Sequence, residues 1–171
     1  MKLEVLITGA GGQGIMTLGK IIANCAIYED KYTTYLPSYG AEVRGGSAYC
    51  SVKISDKEIN SPIIEKPDVG IILNQASLDR FKKILKKRTI LILNKDLIPN
   101  PIETKFYFPL NTMAINIGNL KVVNIIALGV FLGIINIFKD STVIEVLGKF
   151  YSGEILEQNI KAFNFGKKLV S

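Results

Sequence analysis

A chain of 171 residues is long enough to bury a core without disulfide or metal staples, and a single domain over residues 1–171 is the natural expectation. It has no histidine and two cysteines, Cys25 and Cys50. That excludes a serine–histidine or cysteine–histidine catalytic pair and leaves too few ligands for an iron–sulfur cluster or an ordinary catalytic zinc. The formal charge of +6 favours anionic partners only weakly.

The cations are scattered. The one short run, Lys82-Lys83 to Lys86-Lys87-Arg88, suits the wet face and C-terminal end of a helix, where positive charge complements the dipole. No nucleic-acid partner is expected from this pattern. Two unpaired thiols at apolar positions fit a reducing cytoplasm. The N-terminal pattern is that of a strand rather than a charged leader with an apolar run.

Residues 2–8 are almost continuously apolar, as in a central strand covered on both faces. Gly9-Ala10-Gly11-Gly12-Gln13-Gly14 follows and opens a helical pattern over residues 15–29, with Ile15, Leu18, Ile22, Cys25 and Ala26 on one face. A β-branched and aromatic strand is predicted over 31–36, ended by Pro37. After a glycine-rich loop, residues 47–55 alternate, with Ala48, Cys50, Val52 and Ile54 on one face. Turn chemistry at Ser55-Asp56-Lys57 suggests that residues 58–61 return as the second arm of an antiparallel hairpin.

A buried strand is predicted over 68–74, a helix over 77–87 and a strand over 89–93. Pro99 and Pro101 mark a loop, residues 105–108 a short strand, and 111–117 a short helix stopped by Gly118. Residues 120–138 are long and apolar enough to require a membrane check. Lys121, Asn124 and Asn136, with the spacing Gly129-x-x-x-Gly133, favour a buried or interface helix at 121–137 over a membrane span. Thr142-x-x-Glu145 reads as a capping box that starts a further helix, and the last helix covers 153–169 with Leu156, Ile160 and Phe163 as its stripe. The expected fold is α/β: a three-layer α/β/α sandwich, Rossmann-like at its start, on a mixed sheet with one antiparallel hairpin.

In letters, Gly9-x-Gly11-x-x-Gly14 matches the dinucleotide fingerprint, and strand–turn–helix is its proper setting. The fingerprint also needs an acid at the end of the second strand to hold a ribose. Leu36, Pro37 and Ser38 stand there, with Asp30 before the strand and Glu42 beyond it. Three readings stay open. One is a free-standing NAD-dependent oxidoreductase. Another is a helix start that binds a phosphate-bearing ligand such as coenzyme A. The third is a turn that only lets helix and strand pack closely. Gln13 has the donors and acceptor to meet a ligand or a neighbouring subunit. In residues 39–47, Arg44 is suited to fork onto a carboxylate or phosphate, with Glu42 as an alternative internal partner.

The combination of Gly11-Gly12-Gln13-Gly14, Tyr39-Gly40-Ala41-Glu42-Val43-Arg44-Gly45-Gly46, Ser61-Pro62 and Pro67-Asp68 resembles the gamma subunit of 2-oxoacid:ferredoxin oxidoreductases. Asn124, Leu128-Gly129 and the run Glu157-Gln158-Asn159-Ile160-Lys161-Ala162-Phe163 extend the likeness over essentially the whole chain. It looks most like the 2-oxoglutarate or branched-chain type, with the pyruvate type similar in the same motifs. The resemblance implies an accessory subunit of a cytoplasmic, hetero-oligomeric complex. Such complexes decarboxylate a 2-oxoacid on thiamine pyrophosphate with magnesium, pass electrons through iron–sulfur clusters to ferredoxin and release an acyl-CoA. It implies alpha, beta and ferredoxin-like delta partners, with those cofactors held outside this chain. No catalytic or metal-ligating residue is expected here. The candidate ligand contacts are Gly9, Gly11, Gly12, Gln13, Gly14, Tyr39, Glu42, Arg44, Gly45 and Gly46, toward coenzyme A or partner protein.

Overall fold

The computed structural model describes residues 1–38 and 48–170. β1 (Lys2–Gly9) and α1 (Ile15–Tyr28) lie where the apolar periodicity places them. β2 (Tyr32–Ser38), β3 (Ala48–Ser55), β4 (Val69–Ile72), α2 (Gln75–Phe81), β5 (Ile90–Asn94) and β6 (Phe106–Phe108) follow. The C-terminal part is helical: α3 (Leu110–Ile117), a 3-10 turn at Leu120–Val122, α4 (Val123–Ile135), α5 (Asp140–Phe150) and α6 (Gly153–Lys168). The strands form one sheet in the order β2-β3-β1-β4-β5-β6. β1, β4, β5 and β6 pair in parallel, while β3 runs antiparallel to both of its neighbours.

The mixed α/β sheet is as expected, but its hairpin has a different second arm. β3 pairs with β2, Val52 opposite Tyr35, and residues 58–61 form no strand. The turn at Ser55-Asp56-Lys57 does form, with the Lys57 N–H donating to Ser55 Oγ at 3.0 Å. Asp56 then serves as a clamp, pairing with both the N-terminal ammonium and Lys31 Nζ. Those two contacts tie down the starts of β1 and β2 and leave the following chain free of the ladder.

Period-two alternation explains the layering. Val5, Ile7, Cys50, Val52, Val69, Ile71 and Ile92 point to one face and meet α1 and the C-terminal helices in the main core. Ile72, Leu91 and Leu93 point to the other face and meet Leu78 of α2 and Ile98 in a smaller one. Helices thus lie on both sides of the sheet. α4 is buried along Val123–Leu132 on every side, so it reads as continuously apolar rather than striped. Among the described residues no helix is long and apolar enough to cross a membrane.

Two helix ends differ from expectation. α2 stops at Phe81, six residues short of the predicted end. Lys82/Lys86 and Lys83/Lys87 would stack like charges at i,i+4 in a longer helix, which disfavours its extension. α5 starts at Asp140, so Thr142 and Glu145 lie inside it and form no capping box. The cap comes instead from α1's far end: Glu29 Oε1 accepts the Lys139 N–H at 2.8 Å and the Thr142 hydroxyl at 2.7 Å. These hydrogen bonds, the Lys139 one foremost, hold the Glu29 carboxyl below its ordinary range.

Both cysteines are buried and reduced. Burial pushes each thiol up to about 12, with the Glu29 charge adding to the effect at Cys25. Native protein is therefore expected to leave a thiol-reactive disulfide reagent unconsumed at mildly alkaline pH, and to react with both cysteines once unfolded in guanidinium. Rapid native labelling of either would contradict this packing.

Candidate functional site

The C-terminal edge of the parallel strands is where open α/β sheets bind ligands. β1 ends there in the glycine turn. Gly9 is locked: an added Cβ would sit 2.5 Å from Gln13 Oε1 and 2.9 Å from Ile15 Cδ1. The Ala10 N–H donates to Gln13 Oε1 at 2.7 Å, and the Gln13 N–H donates to the Ala10 carbonyl at 3.3 Å. Gln13 therefore spends its amide oxygen on holding the turn.

Gly14 is the N-cap of α1 in the left-handed region, φ 72° and ψ 23°, and supplies no side chain to cap the helix. Among the described residues the first-turn N–H groups have no side-chain acceptor, which is the electrostatic requirement of an anion site. Gly11 and Gly12 are exposed, with no atom of the described residues within 4 Å of where a Cβ would stand. They offer bare backbone for close approach.

Asn124 buttresses this turn from α4. Its Nδ2 donates to the Gly14 carbonyl at 3.2 Å across 110 residues, and the residue is 2 % exposed. Sequence reading passed over this role, although one polar residue inside an otherwise apolar helix was its signal. A second feature escaped notice on the opposite face of the sheet. Tyr49, opposite Thr8, stacks edge-on against Phe81 at 4.9 Å, and the Arg80 guanidinium lies 5.1 Å from its ring centroid.

β3 settles why the ribose acid is missing. Ala48 of β3, rather than the end of β2, stands opposite Gly9. With β3 inserted, β2 is one strand too far away for its C-terminal end to serve a ligand at the turn as the fingerprint requires. The same insertion brings Ser38, opposite Tyr49, and Ala48 to this edge. Both flanks of residues 39–47 therefore reach the edge that carries the glycine turn, Ala48 next to it and Ser38 one strand further out. Tyr39, Glu42, Arg44, Gly45 and Gly46 themselves lie outside the described residues.

Across residues 4–169 the sequence matches the profile of the family described as pyruvate ferredoxin/flavodoxin oxidoreductase. The chain belongs to that family. Within this oxidoreductase family, it is 33% identical to the 2-oxoglutarate synthase subunit KorC of Methanocaldococcus jannaschii, over 97% of this chain and 92% of the relative. It is 30% identical to the pyruvate/ketoisovalerate oxidoreductases common subunit gamma of Thermococcus litoralis, over 94% and 92% of the two chains. Among solved structures, the gamma subunit of a keto/oxoacid ferredoxin oxidoreductase from Geobacter sulfurreducens matches with a TM-score of 0.85 at 29% identity, over 98% of both chains. The fold is thus shared with a solved gamma subunit over nearly the full length of both chains.

Proposed function

We propose that this chain is the accessory gamma subunit of a 2-oxoacid:ferredoxin oxidoreductase, and that 2-oxoglutarate is the 2-oxoacid of its complex. Near-full-length likeness to KorC carries the choice of substrate. The complex would decarboxylate the 2-oxoacid with coenzyme A and ferredoxin, giving an acyl-CoA and carbon dioxide, with alpha, beta and ferredoxin-like delta subunits as partners.

Magnesium and iron–sulfur clusters do not suit this chain's own donors, and thiamine pyrophosphate goes with the magnesium that holds it. The chain has no histidine, and its two thiols are buried and raised. Among the described residues no cluster of three or more His, Cys, Asp or Glu is placed to hold a metal. Those groups belong to the partner subunits in this reading. Coenzyme A suits the glycine turn better. Its phosphate would meet the backbone of Gly11, Gly12 and the first turn of α1, with Gly9, Gln13 and Gly14 fixing that geometry. Tyr39, Glu42, Arg44, Gly45 and Gly46 would complete the site from the neighbouring stretch, with Arg44 on an anionic group.

The observation that carries this assignment is the exposed, side-chain-free backbone of Gly11 and Gly12 beside an uncapped helix start. Gly11→Asp tests it, because a carboxylate there repels a phosphate while its Cβ stands more than 4 Å from the described residues. In the complex reconstituted with its partners, Gly11→Asp and Arg44→Ala are each expected to raise the KM for coenzyme A by about tenfold, while size-exclusion profiles stay unchanged. Lost assembly at unaltered KM would make the turn a protein contact instead. Turnover of pyruvate in preference to 2-oxoglutarate would overturn the substrate assignment alone.

A further inference from the structure

A second feature lies at the opposite edge of the sheet. Residues 61–68 and 86–88 enclose a cleft of about 600 Å³ against the start of β1 and the end of β3, lined by Lys2, Glu4, Lys53, Glu65, Lys66, Asp68, Lys86 and Arg88, with Ser61 and Ile63. Glu4 is five residues from Gly9 along an extended strand, which separates the cleft from the glycine turn by about 17 Å. Its volume falls in the range of small-molecule sites.

Its floor carries Lys2, Glu4 and Lys53, the charged residues of strands β1–β6. Lys53 Nζ lies 3.2 Å from Glu4 Oε1, with side-chain exposures of 7% and 13%. Exposed Lys2 shares the same carboxylate at 2.9 Å. Burial alone would push the Glu4 carboxyl up, but hydrogen bonds from Lys2 and Lys53 together outweigh it and hold the group below its ordinary range. Asp68 is also engaged, accepting the Glu4 N–H at 3.0 Å. Among the described residues Lys66, Lys86 and Arg88 have no ion-pair partner, and Glu65 is the one lining carboxylate not engaged in these contacts. A desolvated lysine–glutamate pair is poor stabilising material compared with an apolar pair, so its presence at the floor of a cation-rimmed cleft marks a place made for charge.

We propose that this cleft is a second anion site, taking a small ligand that bears a diphosphate group. Arg88 supplies the planar fork for phosphate oxygens, and Lys66 and Lys86 the further positive charge. The diphosphate is either free or part of a nucleotide; inorganic pyrophosphate and ADP distinguish the two sources.

Calorimetric titration of the full chain with each probe, at low and physiological ionic strength, tests the assignment. Saturable binding of pyrophosphate is expected. Lys86→Ala/Arg88→Ala should weaken it by about tenfold with the melting temperature unchanged, because both residues are on the rim. Gly11→Asp, at the other edge, should leave it unaltered. ADP binding tighter than pyrophosphate assigns the site to a nucleotide, and equal affinity assigns it to the free diphosphate. Failure of both probes to saturate overturns the proposal. So does binding indifferent to the double substitution, or binding lost in Gly11→Asp, which would return the anion to the glycine turn.

Discussion

Gly166→Ala is expected to destabilise the protein by about 3 kcal/mol, through overpacking with no soft neighbour to yield. A Cβ at Gly166 would enter the van der Waals shell of the Ile126 carbonyl oxygen and stand 3.0 Å from Gly129 Cα. A Cβ at Gly129 would collide in turn with the Phe163 carbonyl oxygen and lie 2.9 Å from Gly166 Cα. The obstacles are backbone atoms, so α4 and α6 must separate. α4 is enclosed over ten consecutive residues and cannot separate without opening the core. The helix propensity gained by alanine, about 1 kcal/mol, is too small to offset this. Gly148→Ala provides the contrast. Its nearest neighbour would be Leu156 Cδ2 at 4.0 Å, so that change is expected to raise stability by up to about 1 kcal/mol. Gly133→Ala should fall between them, because its closest obstacle is a rotatable methyl of Val170. Urea unfolding curves measure the order. Equal midpoints for Gly166→Ala and Gly148→Ala would refute the close helix crossing.

Gly14→Ala should lose about 2–4 kcal/mol, from two causes that separate experimentally. Its φ of 72° is left-handed, and an added Cβ would sit 2.8 Å from Asn124 Cγ. Gly12→Ala carries only the first cause, since φ is 84° but no atom of the described residues is within 4 Å, and should lose about 1 kcal/mol. Gly11→Ala carries neither cause and should be close to neutral. Asn124→Ala would remove the clash, so the double variant with Gly14→Ala should be more stable than the two separate losses predict. If Gly14→Ala proves no worse than Gly12→Ala, contact with Asn124 does not govern the turn.

Local pattern made much of this fold readable. Leu3, Val5 and Ile7 announced a strand, and the helix after Gly14 followed from the spacing of Ile15, Leu18 and Ile22. Gly118 marked the end of α3, where it adopts a φ of 99°. Pairing was less readable, because it is decided by elements far apart in sequence. Nothing local states that β3 inserts between β1 and β2, and the turn chemistry of Asp56 serves a clamp as well as it would serve a hairpin. The missed cap of α5 has the same origin: its acceptor, Glu29, lies 110 residues before Lys139. At the site, the glycines and their setting were legible. Gln13's inward role was not, because one amide can face a ligand or its own turn with equal chemistry.

The two long-range contacts of α1 have a joint consequence. Asn124 holds the helix where it leaves the glycine turn, and Glu29, just past its other end, receives Lys139 and Thr142. Helix α1 is thus a strut fastened at both ends to the C-terminal layer. The turn mounted on it keeps its shape before anything arrives. The ligand proposed for that turn would meet a cradle already set, and little of its binding free energy would be consumed in ordering it.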